Sequence, residues 1–416
     1  MFNVILPAFY FTILCILLTL RHKRFELSAL MAAIYAVSAW MSIIVYQYNL
    51  RDLARDVPHI PFAYPLIYCS LITLTILPFS HLHSEKIERI PQPNMRLFNL
   101  VAYSFIITFI LTVINLLPDI ISTLLSGDLQ DIRNDVYSDQ EQVTRTGIHY
   151  LLALPETLLS PCSPLMMMMF FYSICFLKKP RWFNIALFLS STTPIMPAIL
   201  IAGRTQIVYW IFILIASYLF FSPHLSARQK RIFTISGGCI LGFFVLFMLA
   251  VTVARWNFHK DMYNMLCIYT GEPYIQFCKF MNQYHNNHIH LQRLFPFTHY
   301  FLLHRNIDLN DYREVIDIES GMSIHIFYTF LGDLLVDIGR IGMILYCLVY
   351  NFLTNSFLRR KDSVEMPFYQ LLIVSICMLV PLEGLFYYSF HTIRMSYYII
   401  ETAFLYLLFR RKTPAV

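Results

Sequence analysis

The chain has 416 residues, of which 57% are hydrophobic and only 13% charged, with a mean hydropathy of +0.57. A soluble domain carries about 25% charged residues, so this composition would leave more apolar surface than one core can hide. It excludes a disordered, coiled-coil, collagenous or small disulfide-stapled protein and predicts an all-α, polytopic integral membrane protein forming a single membrane domain over residues 1–416.

Apolar runs lie at about 2–20, 27–46, 61–79, 97–117, 148–177, 183–202, 206–221, 232–254, 341–358, 367–389 and 394–409, which predicts about eleven transmembrane helices. The first run has no basic leader and no small-residue cleavage site, so it reads as a retained span and not as a signal peptide. The formal charge of +6 does not point to nucleic acid, because the basic residues are gathered in short turns: Arg21, Lys23, Arg24; Lys86, Arg89, Arg96; Lys178, Lys179, Arg181; Arg228, Lys230, Arg231; Arg359, Arg360, Lys361; Arg410, Arg411, Lys412. On an alternating path every cluster falls on one side. The positive-inside rule makes that side cytoplasmic, with the N-terminus outside and the C-terminus inside.

Two long hydrophilic segments occupy the opposite side. The first is 118–147; the second is the main loop, 255–340 if its last, partly apolar stretch is included. Most carboxylates fall on this outer face, so the polar chemistry is expected there. Of the nine cysteines, only Cys267 and Cys278 share a hydrophilic stretch; a disulfide between them is allowed by the sequence, although two cysteines in one loop need not face each other. The Met166–Met169 run reads as packing or lipid-facing filler and not as a metal site.

Several residues are candidates for chemistry. Arg204, in Gly203-Arg204-Thr205 between two spans, is either a snorkelling anchor or a phosphate ligand whose planar fork suits two oxygens. Arg255 ends a span at the same boundary with Trp256 beside it, and the same two readings compete. Tyr269-Thr270-Gly271-Glu272-Pro273 reads as a turn opening an extended or helical stretch. Seven histidines, His259, His285, His288, His290, His299, His304 and His325, fall between residues 255 and 325. The spacing of His285, His288 and His290 lacks a neighbouring Cys or carboxylate, so an amphipathic interfacial stretch is preferred to a metal centre. In Thr329–Gly339, Asp333 and Asp337 stand one helical turn apart on a segment too short and too charged to span, which predicts a re-entrant or interfacial helix; Arg340 is placed to neutralise Asp337. Glu156, Glu383 and Glu401 lie within apolar runs.

The Gly-x-Thr setting of Arg204, Arg255 heading the long loop, Tyr269 to Pro273, and Phe330-Leu331-Gly332-Asp333 with Gly339 and Gly342 resemble the bacterial O-antigen or oligosaccharide repeat-unit polymerases of the Wzy type. As architecture the resemblance covers most of the chain; as sequence it rests on these few motifs. The Arg-plus-ten-residues-plus-Gly motif of some members does not occur: beyond Arg133, Arg204, Arg255 and Arg293 stand Thr144, Ile215, Leu266 and His304. The resemblance implies a metal-independent glycosyltransferase without a cofactor, in the inner membrane and active on its periplasmic face. It would polymerise undecaprenyl-diphosphate-linked oligosaccharide repeat units into O-antigen or capsule-type polysaccharide. Membrane lipids, a chain-length regulator and a flippase are the implied partners. Arg204, Arg255 and Tyr269 would then contact substrate, and His325, Glu272 and Asp333 are the candidate catalytic groups. Rival readings are an O-antigen ligase, a lipid-linked oligosaccharide flippase or other transporter, and a membrane acyltransferase. A transporter would want polar residues at the midplane of several spans, and an acyltransferase a histidine deep within one.

Overall fold

The computed structural model describes the chain except for residues 127–147, 201–202, 256–261, 285–289, 305–314, 319–325, 360–363 and 412–416. The principal helices, in chain order, are α1 Phe2–His22, α2 Leu27–Gln47, α3 Ala63–Ile76, α4 Met95–Ser126, α5 Ile148–Leu159, α6 Ser163–Tyr172, α7 Arg181–Ser190, α8 Ile195–Leu200, α9 Thr205–Phe221, α10 Ala227–Arg255, α11 Met262–Gln283, α12 Pro296–Phe301, α13 Thr329–Leu358, α14 Phe368–Cys377, α15 Leu379–Glu383 and α16 Ile393–Arg411. Among the described residues there is no strand. Among the described residues seven helical stretches, at Phe2–His22, Leu27–Gln47, Ala63–Lys86, Met95–Ser122, Leu151–Leu177, Thr205–His224 and Ala227–Leu246, are long and apolar enough to cross a bilayer. The protein is therefore an all-α, multi-pass membrane protein.

The remaining four apolar runs take other forms. Run 183–202 breaks into α7 and α8, because Ser190, Ser191, Thr192 and Thr193 each bond a hydroxyl back to a carbonyl three residues earlier and Pro194 has no N–H to continue the ladder. Run 341–358 is the second limb of α13, which kinks at Gly339 (φ 72°, ψ 179°). Run 367–389 divides into α14 and α15. Run 394–409 lies in α16, which carries Arg394, Glu401, Arg410 and Arg411.

The chain divides into two compact units, each assembled from distant segments. The first comprises Met1–His83, Tyr263–Lys361 and Cys377–Ser396. Its α1 ends on Lys23 in the left-handed region (φ 54°), with the N–H groups of Lys23 and Arg24 returning to the carbonyls of Leu20 and Thr19. That Schellman closure turns the chain directly into α2. Ala29, Ala32 and Ala39 on α2 are buried, and such small side chains let backbones approach. Helix α11 uses this: a Cβ on Gly271 would stand 2.4 Å from the Met41 carbonyl carbon. The Ser38 and Ser42 hydroxyls donate across the crossing to the carbonyls of Thr270 and Gly271, each at 2.6 Å, beside the helix-interrupting Pro273. Thus Tyr269 to Pro273 is not the expected turn but the middle of a helix, with glycine required by contact and proline tolerated because neighbouring hydroxyls bond the adjacent carbonyls. Cys267 and Cys278 are both buried and free, and eleven residues along one helix puts them about 16 Å apart, far beyond disulfide reach.

The second unit comprises Ser84–Met262, Asp362–Ile376 and Tyr397–Val416. Its basic turns converge. Glu88 N–H donates to the Val364 carbonyl (2.8 Å) and Met366 N–H to that of Arg89 (3.0 Å). Lys179 donates to Asn99 Oδ1 (3.1 Å), Tyr172 OH to the Pro91 carbonyl (3.2 Å), and Ser84–Lys86 packs against Ser222–His224. Met166–Met169 are buried in α6, so this run is packing. Between α6, α7, α9 and α10 lies an apolar cavity of about 380 Å³, lined among others by Phe170, Phe171, Phe188, Tyr218 and Phe233.

Candidate functional site

In the first unit the basic turn closes α1 at residues 21–24, while the Asn3 end of α1 accepts the Tyr274 hydroxyl of α11 (2.6 Å). At this second end α11, the 290–301 segment, the first limb of α13 and residues 384–391 assemble a buried polar centre. Its hub is Asp333, fully buried on α13. Asp333 Oδ1 accepts the Tyr328 hydroxyl (2.8 Å) and pairs with Arg293, and Oδ2 accepts the Tyr388 backbone N–H (2.6 Å).

Local sequence explains the geometry. Gly332 gives the Tyr328 ring its place, since a Cβ there would lie 2.4 Å from Tyr328 Cδ2. The ring stacks on Phe280 of α11 (4.8 Å, 22°), and the Arg293 guanidinium lies 5.9 Å above it. Phe330 N–H bonds the Gly384 carbonyl (2.8 Å), bringing 384–391 alongside α13. Thr329 sits at φ 66°, a region β-branched residues avoid, so this junction stores about 1–3 kcal/mol of strain.

One turn on, Asp337 gathers a backbone nest. Its Oδ1 accepts the N–H groups of Gln292 (2.9 Å) and Arg293 (3.1 Å), its Oδ2 that of Leu294 (2.8 Å), and its carbonyl that of His290 (2.9 Å). Burial raises the Asp337 carboxyl above its ordinary range, and these backbone N–H groups with the Arg293 charge pull it back. Arg340, expected to neutralise Asp337, donates instead to the Met281 carbonyl (2.8 Å). Asp337 shapes the turn that aims Arg293 at Asp333.

Outside this centre is a half-buried aromatic layer. Tyr269 meets Phe327 (5.8 Å), Phe327 meets Tyr387 (5.1 Å), and Tyr387 meets His391 (6.0 Å). His391 Nδ1 faces the Tyr388 carbonyl; a carbonyl only accepts, so Nδ1 carries the proton and Nε2 is the basic nitrogen. Asp333 and His391 both bond the backbone of Tyr388, the first at its N–H and the second at its carbonyl.

The remaining expected site residues are dispersed. Glu272 of α11 is buried and turned to Arg51 (3.0 Å) and Gln276 (3.3 Å), so its known partners are not those of Asp333. Arg204 is the half-buried N-cap of α9 in the second unit. Arg255 is the last residue of α10, and its side chain lies outside the described residues, as do His325, His285 and His288. Both arginines stand at the helix ends away from the basic turn 222–231. At 1.5 Å per residue, however, α9 rises about 25 Å and α10 about 43 Å from that turn, a difference larger than one diphosphate. Arg293 and His391 were not singled out by sequence reasoning: the first is an isolated Arg in a polar loop, the second sits in a short gap between two apolar runs.

A fully buried carboxylate with both oxygens engaged positions other groups; the half-buried His391 and the ring faces are what a ligand can reach. Comparison with family models, with characterised proteins and with solved structures finds no match for this chain.

Proposed function

We propose that this protein polymerises lipid-linked oligosaccharide repeat units at the membrane face opposite its basic turns, that face being the periplasmic side of an inner membrane, with the N-terminus outside and the C-terminus in the cytoplasm. The single observation that carries this reading is an aromatic layer with a tautomer-fixed histidine, set over a buried Arg–Asp centre at the end of the first unit remote from Arg21, Lys23 and Arg24. Aromatic faces suit the apolar faces of sugars, and a histidine suits proton removal from an acceptor hydroxyl.

In this scheme the acceptor hydroxyl oxygen attacks the anomeric carbon and the bond to the polyprenyl diphosphate breaks. The diphosphate leaves with the electron pair, and the hydroxyl proton passes to His391 Nε2. Tyr269, Phe327 and Tyr387 present ring faces to the glycan, and Asp333 acts as a positioning residue. In the second unit, taken by itself, Arg204 and Arg255 are each suited to bind the diphosphate of a lipid carrier. The apolar cavity of the second unit suits part of a prenyl chain.

The test is genetic and electrophoretic. Deletion should remove the long-chain glycan ladder while a single repeat unit stays attached. Unattached full-length polymer would instead identify a ligase, and loss of every repeat unit a transporter. His391→Ala, Arg204→Ala and Arg255→Ala should each abolish the ladder with membrane abundance unchanged, whereas Asp333→Asn should lower both. Normal ladders in all three alanine variants would remove the mechanism.

A further inference from the structure

At the other end of the first unit, the turn between α1 and α2 meets the segment that follows α3, and three ligand-type side chains converge there. His22 is the last residue of α1, Glu26 the N-cap of α2, and His83 follows the short turn Leu77–His81. One atom from each, two imidazole nitrogens and a carboxylate oxygen, lies within 4.8 Å of the others. His22 Nδ1 is 3.2 Å from Glu26 Oε2 and 3.1 Å from His83 Nδ1. Two ligands on a tetrahedral zinc ion at about 2.0–2.1 Å stand about 3.3–3.4 Å apart, so both spacings are those of a coordination edge.

Several features set this cluster apart from a chance surface grouping. His22 is 4% exposed and Glu26 3%, so both ligand side chains are held largely out of water. Arg24 Nε lies 3.5 Å from the other carboxylate oxygen, Oε1, leaving Oε2 directed at the imidazoles. This is the outer-shell support that orients a ligating carboxylate. The backbone is committed to the arrangement too: the left-handed Lys23 closes the turn that brings His22 and Glu26 together.

We propose that His22, Glu26 and His83 form a binding site for one Zn²⁺ ion, with a fourth position for water, which fastens the α1–α2 turn to the end of the α3 segment. Two imidazoles and one carboxylate are a ligand set that suits zinc over calcium or magnesium. The ion lies at the opposite end of this unit from the aromatic layer, so its role is independent of glycan transfer.

Full-length protein purified in detergent and dialysed against chelator, then titrated with Zn²⁺ against a chromophoric competitor, should bind one equivalent. His22→Ala and His83→Ala should each weaken that binding at least tenfold. His81→Ala, which removes an exposed neighbour, should leave it unchanged. Co²⁺ in place of zinc should give the visible absorption of a tetrahedral centre in the wild type and lose it in the variants. Glu26→Gln, which keeps the side-chain volume, decides the matter should the histidine variants not stay monodisperse. Wild-type affinity in Glu26→Gln or in His83→Ala, or no binding by the wild type beyond that of a His22→Ala/His83→Ala double variant, overturns the site and leaves a His–His–Glu hydrogen-bond cluster.

Discussion

At the scale of single residues, the carboxylates of the first unit differ in what burial does to them. Breaking a buried ion pair by removing one partner typically costs about 3–5 kcal/mol, because the other charge is stranded. The 0%-exposed Asp333 side chain and the 4%-exposed Arg293 meet that description, so stability and alignment are the expected losses there. Glu272 is the more informative case for pH. Burial raises its carboxyl above the ordinary range, and the Arg51 charge opposes that only in part. A raised carboxyl means that the folded chain holds the proton longer than the unfolded one. The stabilisation it confers is therefore complete below the ordinary carboxylate range and is lost as pH rises through the raised value. Glu272→Gln should flatten this decline between the acid range and neutrality. Unfolding midpoints measured by size exclusion after heating at several pH values test it: a slope equal to that of the wild type would show that Glu272 does not titrate in that window.

At the scale of elements, legibility followed hydropathy and failed where tertiary contact decides. Helices α1, α2, α4, α9 and α10 match apolar runs because unbroken apolar stretches at this length have few alternatives. Within helix α11, Tyr269 to Pro273 reads from the sequence as a turn opening an extended or helical stretch, since Gly271 and Pro273 are local breakers; what overrides them is the contact with Met41 and the hydroxyls of Ser38 and Ser42, 229 or more residues away in sequence. The pairing of Asp333 with Arg293 was likewise hidden, because a carboxylate's nearest cation in sequence, Arg340, is not its nearest in space. The break at Ser190 to Pro194 was visible as a run of hydroxyls, although the mean hydropathy of its window masked it. This contact logic gives a paired prediction. Gly271→Val places atoms where the α2 backbone already is and should destabilise by about 3 kcal/mol or more, seen as loss of monodisperse protein. Gly237→Ala, on α10 with nothing within 4 Å of the new Cβ, should be neutral or stabilise by up to about 1 kcal/mol. Equal behaviour of the two variants would refute the close crossing of α2 and α11.

At the scale of the whole molecule, the remaining question is which face meets the cytoplasm, and charge asymmetry supplies the answer to be tested. In the second unit the turns carrying Lys86, Arg89 and Arg96, Lys178 to Arg181, and Arg228 to Arg231 are tied together by direct contacts. Joint translocation of so many cations would be opposed by the positive-inside effect. In the first unit Lys23 is exposed in the basic turn, while Arg394 is exposed just beyond His391 at the opposite end. Single cysteines at these two positions, in a chain with its own nine cysteines replaced, report the orientation in intact cells. An impermeant maleimide should label Arg394→Cys at once and Lys23→Cys only after the membrane is opened. Ser138→Cys and Asn287→Cys, in the two long hydrophilic segments, should behave like Arg394→Cys. Reversal of this pattern would place His391 and the aromatic layer in the cytoplasm, where a periplasmic glycan chain could not reach them, and the polymerase reading would fall with the orientation while the α1–α2 zinc site would stand or fall on its own titration.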